Sequence, residues 1–153
     1  MNTKFKFRAF AMSGMMLVLL TFVSLSAFSQ TTIVGKWKTI DDETGEAKSV
    51  VEIWKATDGM FYGKITKLFD PKKQESICDK CDPKDARYKK KVIGMTIING
   101  MKKIGANEWT EGTILDPNNG KVYKCKLFME GKNLMVRGYI AFLYRTQTWL
   151  PSE

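Results

Sequence analysis

The chain reads as all-β: an up-and-down antiparallel meander of about eight strands closed into a small barrel. Three observations predict this. Period-two alternation of apolar and polar residues recurs along most of the sequence, no window carries an apolar stripe at helical spacing, and turn formers cluster at regular intervals. Closure follows from the hairpin connections, since a closed meander leaves no unpaired strand edge.

The elements follow in order. Ile33, Gly35, Trp37 and Thr39 alternate with Val34, Lys36 and Lys38, and the polar turn 41–46 ends that strand. Ser49, Val51 and Ile53 then alternate with Val50, Glu52 and Trp54. Asp58-Gly59 is a hairpin signal, because type I′ turns need positive φ at both central positions. Phe61, Gly63 and Ile65 form the next inward row, and further strands are expected at 92–98, 108–115, 121–129, 134–141 and 145–150. The turns 116–120 (Asp-Pro-Asn-Asn-Gly) and 130–133 (Glu-Gly-Lys-Asn) separate the later ones. Residues 70–91 form a 22-residue connection, long for a compact domain, which reads either as a lid or contact loop or as a flexible insertion.

The 153 residues, 44% hydrophobic and 27% charged, suit one domain. Histidine is absent, which removes Ser-His and Cys-His catalysis and every His-ligated zinc site. Lys4, Lys6 and Arg8 precede an uncharged apolar run at 9–28 that exits through Ala27-Phe28-Ser29. That order describes a secretory signal peptide over residues 1–29, cleaved before Gln30, with a retained membrane anchor as the rival reading. No cysteine near the exit supports a lipoprotein. The expected product is one barrel domain at 30–153, secreted or periplasmic, with no membrane span after cleavage.

Removing 29 of the 153 residues leaves 124, and 22 remaining basic residues against 16 acidic ones leave a charge of +6. The mature part keeps only Arg87, Arg137 and Arg145 among its cations' arginines, so a solvated lysine surface is expected rather than nucleic-acid binding. Lysines on the outward rows, as at Lys36, Lys38, Lys124 and Lys126, argue against a membrane-spanning barrel.

The candidate chemistry is sparse. Cys78 and Cys81 form a C-x-x-C without the βαβ setting of a redox motif. With Cys125 they supply three zinc ligands where four are needed, so a small disulfide is the simplest reading. Cys125 alternates inward with Tyr123 and Leu127 and reads as a buried free thiol, with pairing to a loop cysteine left open. The carboxylates Asp41, Asp42, Glu43, Asp70, Asp82 and Asp116 all fall in turns, where they hydrogen-bond their own backbone. No catalytic residue, metal site or cofactor is expected.

Arg137, Tyr139, Arg145 and Gln147 are the candidate ligand-binding set. Val136, Gly138 and Ile140 alternate with Arg137 and Tyr139, so the two groups face opposite sides of their strand. Pointing inward, Arg137 and Gln147 would anchor a polar head group; pointing outward, they would cover Trp37 or Trp149 and close the barrel.

Five phrases recur in a fixed order: Ile33-Val34-Gly35-Lys36-Trp37, Gly112-Thr113-Ile114-Leu115-Asp116-Pro117, Gly120-Lys121-Val122-Tyr123, Val136-Arg137-Gly138-Tyr139-Ile140 and Arg145-Thr146-Gln147-Thr148-Trp149. Together they resemble the exported bacterial family of domains of unknown function numbered 2147. The resemblance implies a lipocalin-like barrel and carries no established activity. In lipocalins a Gly-x-Trp on the first strand packs across the closed end beneath an arginine; Gly35 and Trp37 match it, and Arg145 or Arg137 would supply the cation, worth about 1–2 kcal/mol if stacked and desolvated. That likeness favours the outward, structural role for the arginines. The chain departs from the family at Ala141 and Tyr144, where glycine is usual.

The leading functional expectation is an exported barrel that binds a small, partly apolar or amphipathic ligand. The alternative is a non-catalytic structural or interaction module of the cell envelope, with a filled barrel and a working surface on residues 70–91. An enzyme ranks below both, and the oligomeric state stays open.

Overall fold

The structure, a computed structural model, describes residues 32–153. The expected leader at 1–29 lies outside the described residues. Eight antiparallel strands follow one another: β1 (Gly35–Ile40), β2 (Ala47–Lys55), β3 (Phe61–Leu68), β4 (Thr96–Lys103), β5 (Glu108–Asp116), β6 (Lys121–Glu130), β7 (Asn133–Ile140) and β8 (Leu143–Ser152). Each pairs with its chain neighbour. β8 returns to β1 through Lys36↔Ser152 and Lys38↔Leu150, so the sheet closes as a barrel. Among the described residues no helix is long and apolar enough to cross a membrane.

The inward halves of the alternating rows become the core. Trp37, Ile53, Phe61, Met101, Trp109, Leu127 and Leu134 are all buried near the end where β1 begins and β8 finishes. Ile33 is fully buried just before β1, and its carbonyl accepts a 2.8 Å hydrogen bond from Trp37 Nε1. Phe61 and Trp109 meet edge to face at 6.0 Å. Each such side chain contributes about 1.5–3 kcal/mol on burial, so this end is a filled plug. The large aromatic residues are spent here, which leaves smaller residues and space toward the other end.

The wall bends where glycine lets strands approach. Between Trp109 and Gly112 the β5–β6 register slips, with Glu111 at φ 65°. A Cβ on Gly112 would overlap Asn99 O and Met101 Sδ of β4, so no other residue fits that crossing without movement.

One strand is displaced from its expected place. β4 covers Thr96–Lys103 rather than 92–98, and runs on through Asn99-Gly100. The segment before it is tied down as a turn: Met95 N donates to Val92 O, Gly94 N donates to Ile65 O, and Ile65 N donates to Met95 O. Gly94 sits at φ 89°, outside the range of a strand, while Val92 and Met95 bury their side chains. Its apolar character therefore reflects core packing, not pairing.

The long connection after β3 is ordered by its own ladder. A short 3₁₀ turn at Pro71–Lys73 is capped by Asp70, and Ile77 bridges Lys91. Cys78 N donates to Lys90 O, Lys89 N to Cys78 O, and Val92 N to Ser76 O. Arg87 binds Asp85 at 2.6 Å and reaches Thr96 O at 3.2 Å, fastening the segment to the start of β4. Cys78 and Cys81 are joined by a disulfide and are buried with the barrel core.

Candidate functional site

The end opposite the aromatic plug holds a cavity of about 1270 Å³. Its floor and inner wall are apolar: Ile65, Ile97, Leu115, Val136 and Trp149 line it, together with Gly138. The 70–91 connection forms one side of the mouth through Pro71, Ser76, Ile77 and Lys80. The β1–β2 turn and the β7–β8 hairpin form the rim across from it.

Few polar groups reach the interior. Thr39 and Ser49 lie opposite one another in the β1–β2 ladder and share a 2.8 Å hydrogen bond, so they satisfy each other. Tyr123 accepts at its hydroxyl from Asn119 Nδ2 at 2.9 Å, near the mouth. Gln147 accepts at Oε1 from Trp149 Nε1 at 3.3 Å; its amide nitrogen has no protein partner among the described residues. That amide is a donor among the apolar residues Val136 and Trp149 of the chamber's inner wall.

The structure divides the four expected ligand-binding residues. Arg145 and Gln147 lie on the β8 row that lines the cavity with Leu143 and Trp149. Arg137 and Tyr139 lie on the outer surface, because the buried partner in their alternation is Val136. Arg137 donates from Nε to Thr146 Oγ1 at 2.8 Å, and its guanidinium lies 4.4 Å from the Tyr144 ring centre and 5.1 Å from that of Phe128. The expected stacking of an arginine on Trp37 or Trp149 is replaced by two other arrangements. Arg137 stacks on outer rings, and Arg145 pairs with Asp42 at 2.8 Å on the exposed rim, where such a pair is worth little. Of the three expected closure residues, Gly35 and Trp37 lie at the plugged end, whereas Trp149 also forms cavity floor.

Rim electrostatics are mixed. Asp41 forms an ion pair with Lys48 and accepts from the Glu43 and Thr44 amides at 3.0 and 2.7 Å, which holds its carboxyl well below the usual carboxylate range. It fastens the β1–β2 turn rather than offering a free acid. Cys125 is free and buried, and burial pushes its thiol up to about 12, which makes it inert as a nucleophile at neutral pH. No group of three or more potential metal ligands occurs among the described residues.

Sequence reasoning missed the floor. Trp149 and Gln147 are two apart on β8, so the buried Trp149 marks its inward row. That signal places Gln147 and Arg145 inside and, through Gly138↔Arg145 pairing, Arg137 outside.

A family model described as "Uncharacterized protein conserved in bacteria (DUF2147)" matches residues 35–150, all of the barrel but the last two residues of β8. The chain belongs to this family. A search of curated proteins found no match to this DUF2147 barrel. Among solved structures it is similar to protein HP1028 from Helicobacter pylori, described as belonging to the lipocalin family. The TM-score is 0.69 at 16% sequence identity, over 80% of this chain and 84% of that one. At that identity the likeness concerns the fold: both are lipocalin-like barrels.

Proposed function

We propose that this protein is an exported, lipocalin-like carrier or receptor for a small, partly apolar ligand held in the chamber at the open end of the barrel. The observation that carries the reading is a chamber of about 1270 Å³ with an apolar floor, lined also by Gln147, whose amide oxygen is held by Trp149 and whose amide nitrogen has no protein partner among the described residues. Ligand sites of this kind combine apolar walls with a few placed polar groups, commonly in somewhat smaller volumes. An amphipathic molecule with a carbonyl or carboxylate would lay its chain against Ile65, Leu115, Val136 and Trp149 and accept from Gln147. The ordered 70–91 connection would then serve as a wall of the mouth. The alternative of a filled structural module is less well supported, because only one end of the barrel is packed with large side chains.

Titration with an environment-sensitive apolar fluorophore tests this. Saturable binding, displaced by an unlabelled fatty acid and weakened severalfold in Gln147→Ala, is expected. Filling the chamber with Gly138→Trp should abolish it, since the atoms nearest a Cβ at Gly138, on Tyr123 and Ile114, lie at ordinary contact distances. Probe binding indifferent to both substitutions would refute the site.

A further inference from the structure

The hairpin between β7 and β8 turns through two residues, Ala141 and Phe142, with Ile140 paired to Leu143. Ala141 adopts φ 54°, a conformation usually supplied by glycine or asparagine in tight hairpins. Phe142 is 89% exposed, and Ile140, Leu143 and Tyr144 are each about 60% exposed, at 59%, 62% and 61%. Burial in the barrel explains none of these side chains. They form a projecting knob, not a flat face, so the shape suits penetration into a soft layer better than packing against a rigid partner.

The strands behind the knob carry one sign of charge, with Asp116 of β5 opposite Lys121 and Asp42 on Arg145 as the neighbouring carboxylates. No Asp or Glu occurs between Lys121 and Met129 or between Gly131 and Ser152, the stretches that hold most of β6 and all of β7 and β8. Lys124 pairs across strands with Tyr139, and Tyr139 with Tyr144, so cation and aromatic rings stand directly behind the tip. The side chain of Lys124, on the outer row, has no partner among the described residues, whereas Lys121 lies on the other row, opposite Asp116 of β5, at the rim. Lys126 is different: it is paired with Glu108 at 2.7 Å. Apolar tip, aromatic collar and basic base are the sequence of layers met on entering an anionic bilayer.

We propose that the β7–β8 hairpin docks the barrel, mouth first, on an anionic phospholipid surface, with Phe142 and Leu143 entering the acyl boundary and Lys121 and Lys124 among the head groups. The acidic β1–β2 turn occupies the same rim, and Arg145 and Lys48 pair with its Asp42 and Asp41. Those two pairs offset part of that turn's negative charge. The proposal stands on the exposed tip; Leu143 also edges the mouth of the chamber, and flotation with lipid vesicles reads the tip whether or not the chamber binds a ligand.

Co-flotation of the exported protein with phosphatidylcholine vesicles, and with vesicles of equal parts phosphatidylcholine and phosphatidylglycerol, is the test. Flotation with the anionic vesicles, falling as salt is raised, is expected. Phe142→Ser/Leu143→Ser should reduce it about tenfold or more, from the loss of two penetrating apolar side chains. Lys121→Glu/Lys124→Glu should remove the preference for anionic vesicles. All four positions are on the surface, so circular dichroism should match the parent for both variants. Absence of flotation with either vesicle would overturn the proposal, as would flotation unaffected by the tip substitutions. A parent dimer that the tip substitutions make monomeric, without lipid binding, would reassign the knob to contact with a second copy.

Discussion

Gly120 is where the turn between β5 and β6 meets the disulfide segment. It sits at φ 71°, and a Cβ there would overlap Lys80 O and the Lys80 carbonyl carbon and lie 2.6 Å from Cys81 N. These are backbone atoms, so no rotamer change relieves the clash. Gly120→Ala must therefore shift the turn or lift the Cys78–Cys81 segment, whose cysteines are buried in the core cluster. The left-handed conformation alone costs an alanine about 1–2 kcal/mol. Displacing a packed segment adds about 2 kcal/mol, in the range of overpacked sites, for a total near 3–4 kcal/mol. Gly131→Ala is the control: it has φ 59° and nothing within 4 Å of its Cβ, so it should lose only the backbone part. Urea unfolding followed by tryptophan fluorescence on the unreduced proteins measures both. Gly120→Ala should be the less stable by about 2 kcal/mol, with an unchanged m-value. Equal losses would mean that the segment does not pack on the turn, and the described wall of the mouth would be wrong.

Other expectations follow from the same structure. The Cys125 thiol should resist a thiol reagent at pH 8 in the folded protein and react at once in denaturant; comparable rates in both would contradict its burial. Because its folded value is raised from 9.0 to about 12, stability should fall as pH rises from about 9 toward 12, and Cys125→Ala should flatten that limb of a melting-temperature profile. Asp41 works in the opposite sense: its folded value is depressed, so its contribution is present above the usual carboxylate range and lost on acidification. Asp41→Asn should thus lower stability at neutral pH and show a shallower acid decline; an acid limb identical to the parent's would count against the Lys48 pairing and the turn cap.

The strands were legible because their inward rows carry bulky apolar residues every second position. Trp37, Val51, Ile53 and Leu127 announce which face is buried, and that pattern sets the register of a closed meander. β4 was less so. Val92 and Met95 are apolar for tertiary reasons, packing as the foot of the long connection, and alternation cannot distinguish that from pairing. The side on which Arg137 lies was left open by alternation alone, and packing decides it: Val136 is buried, and the guanidinium stacks outside on Phe128 and Tyr144. What local pattern could not reveal is the chamber itself. Its volume depends on the large side chains gathering at one end, a fact of closure and shear that involves all eight strands at once.

Native mass spectrometry of the protein purified from its own cells, without reduction, bears most directly on the binding barrel. A bound mass that disappears on denaturation, and is missing from Gly138→Trp, is the predicted result. A clean unliganded mass for the parent in gentle buffers, identical to that of the filled variant, would contradict it.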